Sequence, residues 1–127
     1  MVKYPLEVFV TFTTKCNLRC KHCYSNSGAS GKTINTKKLL KILRKIKPLR
    51  LVISGGEPLI EIDKLVEFLT LYKKVYKIDS YIMLATNGIF LNHSNINKLK
   101  SLIDRLQISL DTLSRKKFKL LRGVDFL

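Results

Sequence analysis

Apolar positions along the chain alternate between two periods. Val8-Phe9-Val10-Thr11-Phe12 is uncharged, β-branched and aromatic, and predicts a buried strand. Thr13 to Lys32 has no such pattern, and with Asn17, Asn26, Gly28 and Gly31 it reads as a loop. Leu39, Ile42, Leu43 and Ile46 then recur at helical spacing, with lysines and arginine between them. Asn35 or Thr36 would cap this helix and Pro48 would stop it. Leu51-Val52-Ile53 predicts a second strand, ended by Gly55-Gly56, and Leu65, Val66, Leu69 and Tyr72 mark a helix over Ile62–Lys74. Tyr81 to Ala85 is a third strand, closed by Asn87-Gly88. Ile96, Leu99, Leu102 and Ile103 give a third helix, and Leu106 to Leu110 a fourth strand. Ser114 would cap a fourth helix through Leu121, stopped by Gly123.

The order is strand, loop, helix, then strand and helix three times over. That alternation predicts an α/β fold with parallel strands and helical crossovers. Strands so nearly apolar predict a sheet buried on both faces. No internal repeat, low-complexity tract or linker divides the chain, so one domain is expected.

The 127 residues are 46% hydrophobic and 26% charged, which excludes a disordered tail. The apolar runs are far shorter than the roughly 18–20 residues of a membrane span, so no membrane partner is expected. Met1 to Pro5 carries a positive charge but no small-residue cleavage site, and no signal peptide is read there.

Charge changes the picture more. There are 24 Lys and Arg against 9 Asp and Glu, a net +15. Between Glu7 and Glu57 there is no acid, while eleven basic residues fall in that stretch. Such a surplus attracts polyanions such as RNA, or acidic partners. The blander reading is a set of solvated helix faces. No aromatic residues are interleaved with the basic ones in the manner of single-strand binders.

The three cysteines, Cys16, Cys20 and Cys23, lie within eight residues of one another in the first loop. An odd, clustered set argues against a disulfide framework. It suggests a reducing, cytoplasmic setting and a metal or cluster site. Three thiolates on a cubane would leave one iron open for chemistry. The other reading is a structural zinc with His22 as fourth ligand, made awkward by the adjacency of His22 and Cys23.

The remaining polar motifs fall at equivalent places. Gly55-Gly56-Glu57-Pro58 follows the second strand, Thr86-Asn87-Gly88 the third, and Ser109 and Asp111 end the fourth. Ligands of parallel α/β sheets and barrels bind at the carboxyl ends of strands. Each motif also has a structural reading: a βα turn, an Asn-Gly turn, a helix cap at Asp111, a surface cation at Arg122.

The run Cys16-x3-Cys20-x2-Cys23 after a first strand, followed by Gly-Gly-Glu-Pro after the second, resembles the radical S-adenosylmethionine superfamily. Thr86-Asn87-Gly88, Gln107-Ile108-Ser109-Leu110-Asp111 and Leu121-Arg122-Gly123 resemble its later motifs. The resemblance implies a partial (β/α) barrel and two cofactors, a 4Fe–4S cluster and S-adenosylmethionine. Cys16, Cys20 and Cys23 would bind three irons, and the fourth would chelate the amino and carboxylate groups of S-adenosylmethionine. Gly55, Gly56, Glu57 and Pro58 would meet the methionine amino group. Ser109 and Asp111 would bind the ribose, Asn87 would help at the methionine end, and Arg122 would pair with the methionine carboxylate. The backbone near His22 would pass the adenine. An external low-potential electron donor would drive cleavage to a 5′-deoxyadenosyl radical, which abstracts hydrogen from a substrate of unknown identity, peptide or RNA among the candidates. The cysteine run is nearest in style to members that modify peptides or build cofactors.

The resemblance also implies about six βα units, of which residues 1–127 supply about four. A single incomplete core domain is therefore expected, with an open strand-four edge where a complementary chain could pair. Two other readings stand beside this one. The chain would be a non-catalytic cluster-binding fragment that needs a partner chain, or a basic zinc-containing nucleic-acid-binding module.

Overall fold

The computed structural model describes residues 5–125. The readings made at Met1 to Tyr4 and at Phe126-Leu127 lie outside the described residues. Four strands alternate with four helices: β1 (Glu7–Thr13), α1 (Thr36–Ile46), β2 (Arg50–Gly55), α2 (Ile62–Thr70), β3 (Tyr81–Thr86), α3 (His93–Leu99), β4 (Arg105–Ile108) and α4 (Arg115–Arg122). The strands form one parallel sheet in chain order, β1-β2-β3-β4. The α/β reading of the sequence therefore holds.

Capping follows the residues that the sequence singles out. The Asn35 side chain accepts from the Lys38 amide at 3.0 Å and opens α1. Ser114 opens α4, which ends at Gly123 with φ 78°. Asp111 is not a helix cap; its carboxylate is turned to Arg122 and His22.

The core lies between one face of the sheet and the helices. Phe12, Leu51, Ile53, Ile82 and Leu84 supply the sheet side, and Leu43, Leu65, Phe68, Leu69 and Leu99 the helix side. Phe12 meets Phe68 with ring centroids 5.8 Å apart. Burying each such side chain contributes about 1.5–3 kcal/mol. Tyr72 brings a hydroxyl into this layer, bonded to Ser80 Oγ at 2.6 Å.

Three expectations need correction. The sheet is not buried on both faces: Phe9 is 69% exposed and all four residues of β4 are exposed. The helices cover one face, and α4 does not lie over β4 but packs on the cysteine loop through Arg19 N–H to Arg122 O (3.3 Å) and Lys21 N–H to Leu121 O (2.9 Å). The third helix is shorter than its apolar spacing suggests, because Leu102 and Ile103 lie in the turn beyond α3. The second helix ends in a π turn, Leu71–Val75, which shifts the residues after it around the axis.

Among the described residues no helix is long and apolar enough to cross a membrane. Within the sheet β4 is an edge strand, paired only to β3.

Candidate functional site

The long loop between β1 and α1 is fixed at its root. Thr14 N–H donates to Lys32 O (2.9 Å), Cys16 N–H to Gly28 O (3.0 Å) and Gly28 N–H to Thr14 O (3.1 Å). The chain re-enters beside its start through a bridge between Thr13 and Thr33. Lys15 is bonded to Glu61 at the start of α2, and Thr33 Oγ1 donates to the same oxygen at 3.0 Å. These contacts, with Lys15 foremost, hold the Glu61 carboxyl below its ordinary range.

The end of β2 locks onto this root. Gly56 N–H donates to Thr13 O at 2.7 Å and Glu57 N–H to Lys15 O at 2.8 Å. The approach is too close for a side chain: a Cβ on Gly56 would stand 2.1 Å from Lys15 O, and one on Gly55 2.2 Å from Thr13 O. Gly55 also adopts φ 143°, which L side chains rarely take. The Gly-Gly pair is therefore the seam between the strand and the cysteine loop.

Glu57 is fully buried. Its Oε1 accepts from Leu59 N–H (3.0 Å) and Thr86 Oγ1 (2.8 Å), and its Oε2 from Asn87 N–H (2.7 Å). Burial raises its pKa, and the three donors oppose that rise. These donors take both acceptor positions of Oε1 and one of Oε2, so one position of the carboxylate is left over. Pro58 is likewise buried and starts a 3-10 turn, Pro58–Glu61.

An open cleft at the carboxyl ends of the strands is lined by Cys16, Cys20 and Cys23, by Gly55 and Gly56, by Asn87, by Ser109 and by Arg122. His22, Ser54 and Thr86 also line it. Most residues singled out from the sequence thus converge; buried Glu57 and Pro58 stand behind the lining, and Asp111 lies beside it, partly exposed and bonded to Arg122.

The three thiols are free and partly buried. Cys16 has its pKa raised, chiefly by burial. Cys23 has its pKa lowered, chiefly by Ser25, whose hydroxyl lies 3.5 Å from the sulfur and 2.9 Å from Ser27 Oγ. Leu18 N–H donates to Cys16 Sγ at 3.4 Å.

Arg122 closes the rim. Its Nε donates to Asp111 Oδ2 (2.6 Å), one terminal nitrogen to Ser109 O (3.3 Å) and the other to Cys20 Sγ (3.6 Å). Burial works against its charge, yet Asp111 and Cys20 together raise its pKa. His22 Nε2 lies 3.5 Å from the same Asp111 oxygen. Among the described residues no group of three His, Cys, Asp or Glu is placed to hold one metal ion. A cubane asks something different, because each thiolate takes a separate iron. Three soft thiols facing one open cleft fit that demand.

Two contributors were not singled out by sequence reasoning. Thr86 serves Glu57 from β3, and Asn17 accepts from Asn87 Nδ2 at 2.9 Å. Both sit inside motifs already noted, so position was legible while the bonds were not.

A parallel α/β sheet with a three-cysteine loop at its carboxyl edge defines an α/β class whose ligands bind at the strand ends. The family profile of the Radical SAM superfamily matches residues 10–126, and the chain belongs to that superfamily. It is 35% identical over 123 residues to a "Probable GTP 3′,8-cyclase" of Pyrococcus abyssi, covering 93% of this chain and 39% of that protein. It is 31% identical over 119 residues to "Molybdenum cofactor biosynthesis protein 1" of Drosophila melanogaster, covering 87% and 20%. Among solved structures, Streptococcus suis SuiB bound to its precursor peptide SuiA superposes with a TM-score of 0.78 at 26% identity, over 98% of this chain and 28% of that one. The SuiB complex with S-adenosylmethionine gives 0.75 over 95% and 28%. The chain therefore spans about two fifths or less of these relatives. Membership implies a 4Fe–4S cluster and S-adenosylmethionine as cofactors.

Proposed function

We propose that residues 5–125 form the cofactor-binding part of a radical S-adenosylmethionine enzyme of the cofactor-biosynthesis type. The observation that supports this most is the convergence of three thiols, the Gly55-Gly56 seam, Asn87, Ser109 and Arg122 on one cleft. The GTP 3′,8-cyclase relatives favour a substrate of the cofactor-biosynthesis class over a peptide.

In this reading Cys16, Cys20 and Cys23 hold three irons of the cluster. When bound, the cluster supplies the electron that cleaves S-adenosylmethionine, drawn from an external low-potential donor. Gly55 and Gly56 expose backbone carbonyls to the methionine amino group. Glu57 acts from behind, holding the Asn87 backbone and the strand ends in place. Pro58 fixes the turn that buries Glu57. Ser109 and Asp111 offer short polar side chains to the ribose hydroxyls. Arg122 keeps Asp111 oriented and places a cation at the methionine carboxylate. Completion of the barrel on the β4 edge, by more of the same polypeptide or by a complementary chain, belongs to this reading.

Anaerobic reconstitution with iron and sulfide tests it. The expected result is about four irons per chain, lost in Cys20→Ala, and a reduced EPR signal that shifts on adding S-adenosylmethionine. One zinc per chain and no cluster overturns it. Iron bound without an EPR shift refutes cofactor binding by this part alone.

A further inference from the structure

A second cleft lies at the opposite edge of the sheet, where α1 ends before β2 and the π turn ends before β3. It is lined by Lys41, Arg44, Lys45 and Lys47 from α1 and its C-cap, and by Val75, Tyr76 and Ile78. No acid lines it. The acids that do pair among the described residues are engaged elsewhere: Glu7 with Arg50, Glu61 with Lys15 and Lys64, Asp63 with Lys98, Asp104 with Lys73, Asp111 with Arg122 and His22, and Asp125 with Arg115. The four cations are exposed and have no ion-pair partner among the described residues.

The fold supplies what the sequence lacked. No aromatic residue is interleaved with the basic run of α1, yet the π turn places Tyr76 beneath it. The Arg44 guanidinium stands 4.2 Å from the Tyr76 ring centroid. This cation–π pair forms a cationic, partly aromatic platform. Tyr76 remains 40% exposed beside it. Lys37 and Lys38 continue the charge along α1, whose 11 residues span about 16 Å. That length covers several phosphates of an extended strand. Lys47 and Lys77 both adopt left-handed backbone, φ 41° and 50°, where glycine is the ordinary choice. What lysine adds at each is a cation beside the cleft.

We propose that this cleft, formed by Lys41, Arg44, Lys45, Lys47 and Tyr76, docks single-stranded nucleic acid at the edge of the sheet remote from the cysteines. Phosphates meet the lysines, and a base stacks on the Arg44–Tyr76 platform. A membrane surface fits less well, because the apolar face of α1 is spent on the core through Leu39, Leu40 and Leu43. The proposal stands apart from the cofactor reading and survives its failure.

The test is fluorescence anisotropy with labelled single-stranded 12-mers, RNA and DNA, on the whole chain as purified and after reconstitution. With four lysine and arginine contacts, affinity should fall about 50-fold between 50 and 200 mM salt. Lys41→Gln with Lys45→Gln should weaken binding and flatten that salt slope. Arg44→Lys keeps the charge but removes the planar stack, and should weaken binding by at least about fivefold with the slope unchanged. Tyr76→Ala should match it. Preference between RNA and DNA identifies the source. The proposal is overturned if Lys116→Gln, Lys117→Gln and Lys119→Gln on α4 weaken binding equally. It is also overturned if Arg44→Lys has no effect, or if polyglutamate or phosphatidylserine vesicles bind as well as the 12-mers.

Discussion

Glu57 Oε2 accepts the backbone N–H of Asn87 at 2.7 Å, so one buried carboxylate ties the end of β2 to the end of β3. Its other oxygen takes Thr86 Oγ1 and Leu59 N–H. Glu57→Gln keeps the shape but puts an amide donor against one of these donors. A buried unsatisfied donor costs about 1–3 kcal/mol, so urea denaturation should show a loss of that size. Unchanged stability would mean that the carboxylate bears no structural role.

The same residue carries a pH signature. Its folded pKa lies above the ordinary 4.5, because burial outweighs the donors. Between those two values the folded state binds more protons than the unfolded one, so stability falls as pH rises from 4.5 through the folded pKa. In Glu57→Gln that decline should be absent. Denaturation midpoints measured across pH 4–8 would reveal it.

Glu61 has the opposite sign. Lys15 lowers its folded pKa below 4.5, so its contribution is present above 4.5 and is lost as pH falls through the folded value. Lys15→Met should shrink this acid-side loss, leaving the part due to Thr33 and Lys64, and cost at most about 1 kcal/mol at neutral pH, since Lys15 is partly exposed. A variant as acid-sensitive as the parent would assign the effect to another carboxylate.

Gly56→Ala should be far more damaging than its single methyl implies. The added carbon would stand 2.1 Å from Lys15 O, and backbone cannot retreat there without breaking the Glu57 N–H bond to the same oxygen. A loss of about 3 kcal/mol or more is expected, with reduced iron uptake on reconstitution. Normal uptake would show that the seam does not position the cysteines.

Arg122→Lys retains charge but cannot serve Asp111, Ser109 and Cys20 together. α4 should loosen from the loop. Hydrogen exchange of the Arg19 and Lys21 amides, which donate to Arg122 O and Leu121 O, should quicken about tenfold or more. Unaltered protection would leave Arg122 with no anchoring part.

Much of this was legible in the residues themselves. Period-two and period-3.6 runs located all four strands and helices, and Asn35, Pro48, Ser114 and Gly123 marked ends through local chemistry alone. The convergence of cysteines, Gly-Gly, Asn87 and Ser109 followed from parallel topology. Three features were not local. Glu57 turns inward because Thr86 and Asn87, some thirty residues on, meet its oxygens. α3 stops early although Leu102 and Ile103 keep the helical spacing, since a turn can aim apolar side chains at the same core. Arg44 meets Tyr76 where the π turn ends, a contact between residues far apart in the chain.

The root of the cysteine loop is closed by its own backbone, through Thr13 with Thr33, Thr14 with Lys32 and Cys16 with Gly28. All three thiols lie on the stretch before Gly28, while exposed Ala29 and Ser30 form a tip beyond it. The tip therefore lies outside the stretch that carries the thiols. Residues inserted between Ala29 and Ser30 would extend into solvent and leave the spacing of the cysteines untouched. That makes the tip the natural attachment point for a reporter group on this domain.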